Sequence, residues 1–155
     1  MVIISDTSPL TALLLAGEAG LLRSLFDRVI IPTAVQNELM RAHSQLPAWI
    51  EVLSPQNIAV SIHQAGLDAG ETEAIALALE LQPDTLLIDE RLGRRVAAQH
   101  GLNVTGLLGL LVLAKQQGLL IEVVPTIQKL QAKGNCWFGQ SLVQSVCNSL
   151  GEVWT

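Results

Sequence analysis

At 155 residues, half of them apolar, with a mean hydropathy of +0.43 and only 15% charged side chains, the chain has the size and burial capacity of one compact domain and not the composition of a disordered segment. A formal net charge of −5 argues against a protein that coats nucleic acid through a broad basic surface, but leaves room for a small basic patch or a cation that recruits phosphate. Cys136, Cys147 and three scattered histidines form neither a disulfide framework nor a zinc-ligand pattern.

VIIS at 2–5 reads as a buried strand running straight into Asp6. RVIIP at 28–32, TLLID at 85–89 and NVTG at 103–106 read as further strands, separated by helical patterns at 11–26, 33–42, 71–82 and 91–101. Short, uniformly apolar strands alternating with helices predict a three-layer α/β domain, its mostly parallel sheet covered on both faces. From 107 the pattern is all helical, so residues 1–106 form the α/β core and 107–155 a helical remainder of the same single domain. The apolar run at 107–114 stops at Lys115, far short of the ~20 residues of a bilayer span. No basic region opens the chain, and Asp6 falls where a signal peptide would be most apolar, so a cytoplasmic location is expected.

In a parallel sheet, chemistry collects beyond the carboxyl ends of the strands, where Asp6 and Asp89 both stand. A helix N-cap is the structural alternative for each. For Asp6 it is weakened by Pro9, which suits a first helical position and makes Ser8 the better cap; for Asp89 it stays open. At 100° per residue Glu38 falls within the apolar stripe of Val35, Leu39 and Ala42. Glu71 continues the stripe of Ile75 and Ala78, while Glu73, about 200° away, should face solvent. The alternative for Glu71 is a capping box with Asp68. Two carboxylates ~4 Å apart repel by about 4 kcal/mol at an effective dielectric of 20, so a cluster of four calls for a cation. An all-oxygen donor set without histidine or cysteine suits Mg²⁺ or Mn²⁺, and such ions typically act on phosphates.

SDTSPL, IPTAVQNEL, LDAGETEAIALA and LLIDERLGRRVA together resemble PIN domains, specifically the branch related to VapC-type toxins of toxin–antitoxin pairs. The resemblance spans most of the chain, including GLLGLLVLAKQQGLL. It implies a PIN-like fold and a metal-dependent endoribonuclease that cleaves single-stranded RNA. Asp6, Glu38, Glu71 and Asp89 would hold Mg²⁺ or Mn²⁺, and Thr7 or Ser8 would support the first carboxylate. It also implies a cognate antitoxin partner. Two departures stand out: the third acid is usually aspartate but here is Glu71, and the last motif lacks its usual preceding amide, which raises Glu90 as a substitute ligand, although its helix-start position favours a solvated side chain. Arg94 and Arg95 follow Asp89 and are candidates for substrate phosphate, against a solvated helix face as the alternative. Lys115 is expected to snorkel, and Trp137, Phe138 and Trp154 to pack or meet a partner. An apolar chain with GLLGLLVLA at 106–114 and a Trp-bearing C-terminal segment is expected to cover a patch by self-association, which predicts a homodimer. The main rival reading is a catalytically inactive PIN-like module that binds nucleic acid or regulates. A receiver-like phosphoacceptor would need a second acid beside Asp6, where Thr7 stands, and no Gly-rich phosphate loop supports a nucleotide-binding fold.

Overall fold

The computed structural model describes all 155 residues. Five strands form one sheet: β1 (Val2–Ser5), β2 (Arg28–Pro32), β3 (Ile50–Leu53), β4 (Thr85–Leu87) and β5 (Val104–Thr105). Their order is β3-β2-β1-β4-β5, and every pairing is parallel. The chain leaves β1 in one direction to build β2 and β3, then returns to place β4 on the other side of β1. The topological switch point therefore lies between β1 and β4, the place where doubly wound sheets open a crevice for ligands.

Alternation along the strands sorts the core into two halves. Ile3, Val29, Ile31 and Leu87 face a larger core built with α1 (Thr7–Ala16), α2 (Gly20–Leu25), α3 (Thr33–Met40), α7 (Leu107–Gln116), α8 (Val124–Lys133) and α9 (Gln140–Ser149). Ile4, Ile30, Leu86 and Ile88 face a smaller one with α4 (Val60–His63), α5 (Ala69–Leu81) and α6 (Arg91–Gln99). Both faces are covered, which is why the strands carry no polar alternation. The C-terminal helices share the larger core, since Val143 and Cys147 are fully buried in it with Ile3 and Leu10.

Several expectations need correction. The helical pattern at 11–26 is two helices, because Gly17 adopts φ 73° and ends α1. That helix begins at Thr7, so Asp6 rather than Ser8 holds its N-cap position, and Pro9 sits two residues further in than proposed, still within the first turn where its missing N–H is harmless. Helix α3 stops at Met40, leaving Ala42 outside it. Strand β3 and the short helix α4 were not anticipated. The run 107–114 is no surface patch: Leu107, Leu108, Leu110 and Leu111 are buried within the chain. Lys115 does not merely snorkel; its Nζ donates to Glu152 (2.6 Å) and to the Leu150 carbonyl (3.2 Å). No helix is long and apolar enough to cross a membrane.

Candidate metal centre

Asp6 and Asp89 follow β1 and β4, flanking the switch point. The Asp6 backbone N–H extends the β1–β4 ladder to the Leu87 carbonyl (2.9 Å), which fixes its side chain at the crevice. That side chain is only 4% exposed, makes no capping bond, and leaves Oδ1 without any hydrogen-bond partner. A buried polar atom so treated costs roughly 1–3 kcal/mol or more unless a ligand claims it.

Glu38 reaches the same spot from α3. Thr7 Oγ1 donates to Glu38 Oε2 (2.6 Å), fixing the carboxylate while its other oxygen faces Gly70. A methyl group on Gly70 would meet Glu38 Oε1 at 3.0 Å, Thr7 Oγ1 at 3.1 Å and Asp6 Oδ1 at 3.2 Å. Three oxygens from two helices and a strand end thus surround one point that the missing Cβ of α5 keeps open.

Glu71 is 5% exposed and its Oε2 is likewise unpartnered. It points across to α6, where a Cβ on Gly93 would lie 2.6 Å from that oxygen. Half of the capping box exists: Asp68 Oδ1 accepts the Glu71 N–H (2.8 Å), but this uses the backbone of Glu71 and leaves its carboxylate to the site. Glu73 does not face solvent freely. It is half-buried, and its Oε1 accepts the Ala34 N–H (3.0 Å) in the first turn of α3, a structural role. Helical periodicity turned Glu71 inward but misjudged Glu73, because it has no means of seeing the N-terminus of a neighbouring helix.

Asp89 is not the cap of α6. Glu90 is, accepting the Gly93 N–H at 3.0 Å, which makes Glu90 structural. Asp89 instead accepts the Leu107 N–H (3.0 Å) at the start of α7. Above Gly106 its Oδ1 stands beside Arg94, whose guanidinium makes no salt bridge. Thr7, Ser8, Asp89 and Arg94 all line one cleft of about 790 Å³, whereas Arg95 is exposed and lies off it.

The electrostatics follow from this placement. Burial, reinforced by the charges of Asp68, Glu38 and Asp89, pushes Asp6 up to about 7 against the pull of the Thr7 amide. Burial, with the Asp68 carboxylate next and Asp6 and Glu90 beyond it, pushes Glu71 up to about 8. Burial also raises Asp89, opposed by the Leu107 N–H and Arg94. Asp68, expected only as a cap, is thus part of this acidic field, and its position ahead of Glu71 was the available signal.

The acids form no closed three-residue ligand set; they stand as a pair around Gly70, a second group at Glu71 and Asp68, and Asp89 beside Arg94. This arrangement still fits a hard divalent cation, since Mg²⁺ is commonly held by one or two carboxylates, water and substrate phosphate rather than by a complete protein cage. The orphaned Asp6 Oδ1, the Gly70 opening and the all-oxygen donors meet that description.

The fold and the sequence both have known counterparts. A PilT N-terminus domain protein from the hyperthermophilic archaeon Sulfolobus solfataricus superimposes with a TM-score of 0.52 at 19% identity, covering 72% of this chain and 92% of that one. None of the curated proteins matches this chain. The family model DUF3368, described as a PIN domain, matches residues 2–152. PIN domains are generally nucleases that use divalent metal ions. The chain belongs to the PIN-domain family.

Proposed function

We propose that the protein is a Mg²⁺- or Mn²⁺-dependent endoribonuclease that cleaves single-stranded RNA, the toxin of a toxin–antitoxin pair of the VapC-like branch. The observation that carries this reading is the pair of buried carboxylates, Asp6 and Glu71, each with an oxygen left without a partner beside a helix position kept open by glycine. A fold that needed these acids only for packing or capping would satisfy them, as it satisfies Glu73 and Glu90.

In this reading Asp6 and Glu38 hold the cation, with Thr7 orienting Glu38. The bound cation supplies charge neutralisation at the scissile phosphate and eases deprotonation of an attacking water. Asp89 is held by the Leu107 amide at the opposite side of the crevice, and the unpaired Arg94 holds a phosphate oxygen of the strand. Glu71, its carboxylate raised toward neutral pH, stands ready to exchange a proton or complete the ligand set. The protein's proposed partners are a cognate antitoxin and a second copy of the chain. Exposed Ile121, Leu119 and Val153 support an apolar contact, in place of the buried run 107–114.

Incubation of purified protein with single-stranded RNA should give internal cleavage with Mg²⁺ or Mn²⁺, none in EDTA, and background levels for Asp6→Asn. Binding without cleavage under every metal tested would favour the inactive, regulatory alternative.

A further inference from the structure

We infer that the cleft beside the acids is the groove for the RNA strand, and that Trp137 is the platform on which one of its unpaired bases stacks. This rests on the ribonuclease reading and extends it to substrate recognition. The cleft starts at Thr7, Asp89, Arg94 and Gly106 and runs between the outer face of α1 and the segment 134–139 to Trp137. Of the four acids its lining includes Asp89 alone, and Thr7, which lines it and donates to Glu38, joins it to the Asp6–Glu38 pair.

Trp137 is 79% exposed and is the one tryptophan that packs on neither core cluster. Trp49 and Trp154 both pack against the larger core, and Trp154 Nε1 also donates to Gln140 Oε1 at 2.8 Å. The exposure of Trp137 is not that of a loose loop. The segment leaves α8 at its cap Gly134, where a Cβ would lie 2.9 Å from the Ala12 carbonyl oxygen, so its start lies close against α1. Asn135 turns the chain at φ 54°, and Cys136 and Phe138 on either side of Trp137 pack half-buried against the larger core. The indole is thus held out on a fixed base at the cleft's edge, at low entropic cost to any ring that lands on it.

The remaining lining decides what kind of polymer fits. Ser8, Thr11 and Thr105 offer hydroxyls suited to sugar and phosphate oxygens, and Arg94 is the cleft's only cationic side chain. With one cation in the groove and a net charge of −5, affinity must come from stacking more than from ion pairing. Base–aromatic stacking is tolerant of sequence and strong enough for that role. One phosphate contact predicts a shallow salt dependence, a log–log slope of about −0.7, where a basic groove would be several times steeper.

The test measures anisotropy of a labelled single-stranded oligoribonucleotide, with a duplex of the same length as control, on wild type, Trp137→Ala and Trp137→Phe in EDTA, and KM and kcat in Mn²⁺. Each is run at concentrations where all variants have the same mass by sedimentation. Expected are preference for the single strand, affinity lowered about 10-fold or more in Trp137→Ala, recovery in Trp137→Phe, and a rise in KM with kcat kept. RNA that binds or is cleaved by wild type with Trp137→Ala indistinguishable from it overturns the stacking platform and leaves the ribonuclease reading standing. Trp137→Ala that changes only the oligomeric mass overturns it in favour of a protein interface. Wild type that neither binds nor cleaves single-stranded RNA removes both.

Discussion

Two regions of this molecule bury carboxylates and treat them in opposite ways. Glu152, its side chain 7% exposed, is fully answered: Lys115 donates to it at 2.6 Å, and the Val123 and Val124 amides at the start of α8 donate at 2.9–3.1 Å. Burial alone would raise its pKa, yet Lys115 and the two amides hold it below the usual carboxylate range. Asp6 and Glu71, no more exposed, have orphaned oxygens and are pushed up to about 7 and about 8. The same chain can satisfy a buried acid completely where the purpose is to tie helices together. Leaving others unsatisfied at the switch point is what the proposed cation site rests on.

The largest effect that separates the two regions is on activity. Asp6→Asn keeps the shape and removes the charge, so cleavage should fall to background, whereas Glu152→Gln should keep its activity per folded molecule. Stability should divide the other way. Glu152→Ala leaves Lys115 and two helix-terminal amides without their acceptor, and breaking such a pair costs about 3–5 kcal/mol, which at this size lowers Tm by roughly 10 °C. Asp6→Asn, measured in EDTA above pH 7, should leave Tm unchanged or raised, because an uncompensated buried charge is gone.

The pH dependence sharpens the contrast. In EDTA the native state keeps protons on Asp6 and Glu71 that the unfolded chain releases near pH 4. Their contribution to stability is complete below that range and is lost as pH rises through 7 to 8. Tm should therefore fall between pH 5 and 8.5 in EDTA, and Mn²⁺ should restore it most at the alkaline end; a flat profile in both conditions contradicts the assignment. Gly70→Ala should fill the opening between Glu38, Thr7 and Asp6, lowering cleavage at least 10-fold. Its stability should stay within about 1 kcal/mol, the scale of a glycine-to-alanine change in a helix. The smallest effect is expected from Thr7→Val, which frees Glu38 without removing a ligand and should cost about 10-fold in metal affinity or rate.

Much of this was legible in the residues. Uniformly apolar strands announced a sheet buried on both faces, and the strand-end rule placed Asp6 and Asp89 at the crevice. The stripe argument turned Glu38 and Glu71 inward because a helix's own periodicity decides which way its side chains face. What failed depended on neighbours. Strand β3 is a half-exposed edge strand, so IEVL carries neither the continuous apolar run of β1 nor a clear alternation. Glu73 found the N-terminus of a neighbouring helix, which no single-helix pattern reveals, whereas Glu90 caps its own helix, a local contact. Arg94 and Arg95 are adjacent in sequence yet only Arg94 reaches the cleft, since one helical step turns a side chain by 100°. The cleft itself joins residues 7–15 to residues 134–146, which the packing of α1 against α8 brings together.

The central claim, that the unsatisfied acids at the switch point hold a divalent cation, is tested most directly by titrating Mn²⁺ into metal-free wild type, Asp6→Asn and Glu152→Gln at pH 7 in a calorimeter, in two buffers of different ionisation heat. Saturable binding with net proton release in wild type and Glu152→Gln, and its loss in Asp6→Asn, is the predicted result. Binding to Asp6→Asn as tight as to wild type, or no binding to wild type at all, would contradict the account.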